Sequence, residues 1–158
     1  MKNDLYRYIF YFAASLVVIF LVAYFTGMAD NYYLRFTNGF AHIVVLYYGI
    51  KNLRLRQPET VNNYVSGVAR GMSIGAAGSL VFGLFILLFM LGNPALVAEL
   101  QATTNIGARL TPWAMALIIF AEGVAVSLIG SYLLVRYVDA RLEAKNIGAN
   151  YANRGALS

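Results

Sequence analysis

Four blocks of mostly apolar residues divide the chain, at about residues 8–26, 34–50, 72–91 and 113–135. Each has the length of a bilayer-crossing helix, about 17–25 residues. The second is the weakest, because Asn38 and His42 interrupt it. The first is too long for a secretory signal core, and no small-x-small cleavage pattern follows at Thr26-Gly-Met-Ala-Asp30, so it is read as a retained helix. The pattern predicts an all-α, four-transmembrane-helix bundle over residues 1–145, with a flexible tail at 146–158.

Composition agrees. Of the 158 residues, 60% are hydrophobic and 12% charged, against about 45–50% and 25% in soluble domains. Cysteine is absent, which removes disulfides, thiolate catalysis and iron–sulfur ligation. A single histidine among few carboxylates argues against a metal centre. No cofactor is expected.

The net charge of +5 is a matter of topology rather than of nucleic-acid binding. Ten basic residues fall on one side of the four-block layout: Lys2, Arg7, Lys51, Arg54, Arg56, Arg70, Arg136, Arg141, Lys145 and Arg154. Arg35 and Arg109 fall on the other. The positive-inside rule then places both termini in the cytoplasm and the protein in the inner membrane. Tyr6, Tyr8, Tyr47, Tyr48, Tyr132 and Tyr137 mark the inner interface; Tyr24, Tyr32, Tyr33 and Trp113 mark the outer one.

The connections differ in kind. Gly27–Asn31 makes a tight outer turn. The basic loop from Lys51 to Glu59 reads first as a topology determinant; the alternative is that Lys51, Arg54 and Arg56 touch anionic lipid headgroups. Asn93-Pro94 opens a short segment with Leu96, Val97 and Leu100 on one face, which predicts a helix lying in the outer interface. Thr111-Pro112-Trp113 reads as an N-cap, a proline at the first helical position and an interfacial anchor.

Gly67, Gly71, Gly75, Ser79 and Gly83 recur every four residues through the third block and its approach, and Gly123, Ser127 and Ser131 repeat the pattern in the fourth. Fourfold spacing keeps residues on one helix face, and a face without side chains lets another backbone come close. These stripes serve either internal packing or a seam with another membrane subunit.

The lone carboxylate Glu122 sits in the middle of the fourth block. A charge there costs roughly 2.5–3.5 kcal/mol even on lenient insertion scales. Counting at ~1.5 Å per residue places Glu122 and His42 at one depth, about 12–14 Å below the outer boundary. Asn38 lies one turn above His42 on the same face, and Ser15 or Ser79 also falls within the bilayer. The three residues Asn38, His42 and Glu122 are the candidate intramembrane polar site. An imidazole–carboxylate pair there could carry a proton. A buried Glu that is simply protonated, with a His bonded to a neighbouring helix, accounts for the same residues.

Gly49-Ile-Lys-Asn-Leu-Arg54, Gly71-Met-Ser-Ile-Gly75, Phe120-Ala-Glu122, Ser127-Leu-Ile and Arg136 together resemble the domain-of-unknown-function 4199 family of small four-span bacterial membrane proteins. The resemblance implies the same four-helix layout, with Glu122 at an acidic position of the last span, and implies no activity.

Function is therefore expected to be non-catalytic, since no nucleophile–base pair, metal set or phosphate loop is present. The favoured reading is an accessory or structural subunit whose partners are membrane lipids and itself or other integral membrane subunits, with no nucleic acid. The alternative is a proton-linked small-solute transporter or channel using Glu122 and His42.

Overall fold

The computed structural model describes residues 2–27, 33–56, 63–103 and 109–155. Residues 28–32 of the outer turn, with Tyr32, lie outside the described residues, as do 57–62 of the basic loop, 104–108 and the last three of the tail. The side chains of Lys2, Tyr33, Arg35, Lys145 and Arg154 lie outside them too.

Among the described residues the protein is all-α, with five helices: α1 (Lys2–Phe25), α2 (Tyr33–Arg56), α3 (Tyr64–Leu91), α4 (Pro94–Thr103) and α5 (Pro112–Gly155). Three of them, over Asp4–Phe25, Tyr64–Leu91 and Pro112–Ala144, are long and apolar enough to cross a membrane. α2 has comparable length but falls short in apolarity, because it carries Asn38 and His42 and closes on Lys51, Asn52, Arg54 and Arg56.

The helix ends follow from local chemistry. Gly27, at φ +67°, adopts the left-handed conformation that ends α1. Asn63 caps α3 by accepting a hydrogen bond from Ser66 N at 3.1 Å. Thr111 Oγ1 accepts from Ala114 N at 3.2 Å, the cap expected ahead of Pro112. The Asn93 side chain donates from Nδ2 to Phe89 O at 2.7 Å, closing the end of α3, while its backbone carbonyl accepts from Val97 N at 3.3 Å and starts α4. α4 turns Val97 and Leu100 toward the core cluster, and Gln101 Nε2 ties it to Leu110 O just before α5. α5 continues through the stretch expected to be a flexible tail as far as Gly155. Between Ser131 and Gly155 the sequence has no proline, and Gly148 is the one glycine before the helix ends at Gly155.

The core gathers Phe12 and Leu16 of α1, Leu46 of α2, Ile74, Phe82, Ile86 and Met90 of α3, and Met115 of α5. Toward the α4 end, Phe20 and Tyr24 of α1 interlock edge-to-face with Phe89 of α3, at centroid distances of 5.1 and 5.0 Å. The start of α1, the end of α2, the start of α3 and the second half of α5 gather at the opposite end. Arg56 reaches Asp4 there, and Arg54 reaches both Asn63 and Asp139.

Candidate functional site: the polar interior of the bundle

α3 and α5 make the most extensive contact in the molecule, and the two small-residue stripes are what meet. A Cβ built on Gly123 would run into Ser79, one on Gly75 into Ser127, one on Gly71 into Ser131, and one on Gly67 into Val135 and Arg54. Each step of four up α3 is matched by a step of four down α5, so the helices are antiparallel and in register over four rungs. Gly83 continues the line, where a Cβ would come within 3.3 Å of Ala116 O. The stripes of Gly67, Gly71, Gly75, Ser79 and Gly83 and of Gly123, Ser127 and Ser131 thus occupy each other within one chain.

α2 packs beside this seam, where Gly130 of α5 admits Ile43 and Leu46. His42 is buried there, 5% exposed, and its Nε2 lies 2.7 Å from Ser127 Oγ. Ser127 Oγ also lies 2.6 Å from Gly123 O, to which it donates. A hydroxyl has one hydrogen, so with that bond made, His42 Nε2–H is the donor to Ser127 and the imidazole is the Nε2–H tautomer. Phe12 of α1 closes the pocket with its ring perpendicular to the imidazole, centroids 4.3 Å apart. Phe12 reaches this place because Gly78 leaves room for its ring.

The rest of the expected polar site is distributed differently. Asn38 stands one turn from His42, with a buried Oδ1 that has no hydrogen-bond partner among the described residues. The hydroxyls of Ser79 and Ser131 are likewise buried without a partner among the described residues. Glu122 is exposed on the outer surface of α5. Counting residues sets His42 level with Glu122, but the imidazole lies against Ser127, five residues or about 7.5 Å further along α5. The Gly123–Ser127–Ser131 stripe takes the side of α5 that faces α3, and Glu122 stands five residues from Ser127, about 140° around the helix. The imidazole therefore meets a serine, not the carboxylate.

Expected effects differ accordingly. Ser127→Ala should lower the stability of the detergent-solubilised protein by about 1 kcal/mol, the size of an interhelical hydrogen bond in a membrane. Glu122→Gln should leave it within about 0.5 kcal/mol, as at other exposed positions. Unfolding by graded SDS, followed by circular dichroism, measures both, and equal effects would contradict the placement of the two residues.

A second polar contact lies at the basic end. Arg54, expected at lipid headgroups beside Lys51 and Arg56, is turned inward and fully packed. Its Nη2 is 2.9 Å from Asp139 Oδ2, with side-chain exposures of 2% and 5%, and 3.2 Å from Asn63 O. Gly67 makes this possible, since a Cβ there would come within 2.5 Å of Nη2. The inward turn offsets a carboxylate that α5 would otherwise bury alone. Lys51 instead lies over the Tyr47 ring at 5.7 Å, and Arg56 is exposed. Asp139 was no candidate on sequence grounds. Counting from the inner boundary would have found it, because Arg54 and Asp139 each stand four residues beyond a buried apolar residue, Ile50 and Val135.

Comparison of the chain with protein-family models, with curated proteins and with solved structures gives no match.

Proposed function

We propose that the protein is a small multi-pass subunit of the bacterial cytoplasmic membrane, with a non-catalytic accessory or structural role in a larger membrane assembly. In this reading α2 is a fourth span, and the basic end with both termini faces the cytoplasm, as the charge bias requires. A place in the domain-of-unknown-function 4199 family, on the motifs quoted above, fits this layout and adds no activity to it.

The observation that carries the reading is Glu122. Its carboxyl stands on the exposed side of α5, on the face that also carries Ile118, Val126, Ile129 and Leu133, all of them exposed as well. The chain's own interior is organised without it. Facing lipid, the group would cost the several kcal/mol of an intramembrane charge, whereas such residues ordinarily meet a partner. Ala121 and Ala125 flank it on the exposed side, so a second helix can approach closely enough to donate a hydrogen bond. The glycine–serine seam is already filled from within, so the contact with another subunit belongs on this face of α5.

Extraction in mild detergent followed by blue-native electrophoresis tests the proposal. The wild type is expected to migrate in an assembly larger than one chain, and Glu122→Leu to shift most of it to the single-chain position. A wild type that runs only as a monomer, or an assembly untouched by Glu122→Leu, would overturn the reading.

A further inference from the structure

A cleft of about 190 Å³ opens between the start of α1 and the end of α2, lined by Asp4, Arg7, Tyr8, Tyr11, Asn52, Leu53 and Arg56. We propose that this cleft is a binding site for the phosphate of an anionic phospholipid headgroup. The inference rests on the membrane-embedded reading and not on the accessory role.

The chemistry of the lining points there. Two guanidinium groups face one carboxylate: Arg56 Nη1 donates to Asp4 Oδ1 at 2.8 Å, while Arg7 Nη2 reaches the Tyr11 hydroxyl at 3.4 Å. Arg7 therefore keeps most of its donor fork for a ligand, and Arg56, with its side chain 63% exposed, keeps its second nitrogen. Asn52 Nδ2 donates to the Tyr8 hydroxyl, so both phenols act as acceptors in these bonds and their own hydrogens remain to donate. A cleft with net positive charge, two forked cations, two phenolic donors and little but Leu53 to offer an alkyl group suits a tetrahedral phosphate oxyanion.

Position selects the lipid as its source. The cleft lies at the end of the bundle where the basic residues gather, the level at which a cytoplasmic leaflet presents its anionic headgroups. Phe10, Val18 and Val22 are exposed along α1 on the bilayer side of Arg7, an apolar surface for the acyl chains of a lipid whose phosphate is held in the cleft. A free phosphate ion would gain nothing from that surface.

Native mass spectrometry of the detergent-solubilised full chain, titrated with phosphatidylglycerol, phosphatidylcholine or inorganic phosphate, tests the site. Phosphatidylglycerol is expected to be retained in preference to phosphatidylcholine, and the Arg7→Gln/Arg56→Gln variant to weaken its retention at least about tenfold. Lys51→Gln, outside the cleft, should leave it unchanged, and Asp4→Asn, which removes the one opposing charge, should strengthen it. Both arginines are exposed, so the double variant keeps its fold, which its circular dichroism checks. Equal retention by wild type and double variant would overturn the site, as would inorganic phosphate binding alone and displacing the lipid. A wild type that retains no lipid of either kind would count against the membrane reading itself.

Discussion

Replacing Gly75 with leucine is expected to lower the stability of the solubilised protein by about 3 kcal/mol or more, at the upper end of what overpacking costs. A Cβ alone at this position would already overlap Ser127 Oγ and Cβ. The obstacle is not the mobile tip of a long side chain that could swing away, because serine's Cβ moves only with its helix. Relief therefore requires α3 and α5 to separate, which opens the neighbouring rungs as well. Gly75→Ala should show the same effect at smaller size, and adding Ser127→Gly should restore most of the loss by giving the new methyl its space. Gly39→Ala is the control, since a Cβ there meets nothing within 4 Å. The midpoint of SDS-induced unfolding measures the series. A Gly75→Leu protein as stable as the wild type would contradict the seam.

The second large effect belongs to the buried ion pair. Asp139→Ala leaves the Arg54 guanidinium without its carboxylate in a site from which water is excluded, and breaking such a pair costs about 3–5 kcal/mol. Arg54→Met together with Asp139→Leu should recover most of that, because replacing both charges by apolar groups of similar bulk also removes the need to desolvate them. The same unfolding assay, extended to the two single variants and the double one, gives the coupling between the residues. Additive losses would show that Arg54 and Asp139 do not act as a pair.

How much of this was legible beforehand depends on which coordinate a residue pattern encodes. Apolar block length encodes the helices, and α1, α3 and α5 appear where their blocks predict them. Thr111-Pro112 encodes its own cap through local hydrogen bonding. The fourfold spacing of Gly67 to Gly83 shows that a close helix contact exists, but spacing within one helix carries no information about which helix answers it. The answer lies in a second stripe with the same period, Gly123-Ser127-Ser131, whose serines fill the gaps the glycines leave. Depth was readable only to within about two turns, since the count paired His42 with Glu122 and the structure pairs it with Ser127, about 7.5 Å further along α5. The angular position was not, and it separates Ser127 from Glu122. Arg54 was misplaced for a related reason. A basic residue at a span end reads as a headgroup contact, and only the position of α5 reveals that Asp139 stands beside it.

The periodicity of the α3–α5 seam has a consequence for its alignment. A repeat of four matches itself when one helix slides past the other by a single turn. Displaced one way, Gly71 would meet Ser127 and Gly67 would meet Ser131; displaced the other, Gly75 would meet Ser131 and Ser79 would meet Ser127. All of these are small pairs, so the stripes behave as a ratchet with several nearly equivalent notches. What distinguishes the notches are groups that occur once. Arg54 of α2 reaches Asp139 on α5 and Asn63 at the start of α3 together, which ties α3 to α5 at the alignment observed, while His42 and Ser127 fix α2 against α5. The buried polar residues are then the pawl of the ratchet: their contribution is less to total stability than to choosing one vertical alignment among several, a use for which single buried polar contacts are well suited.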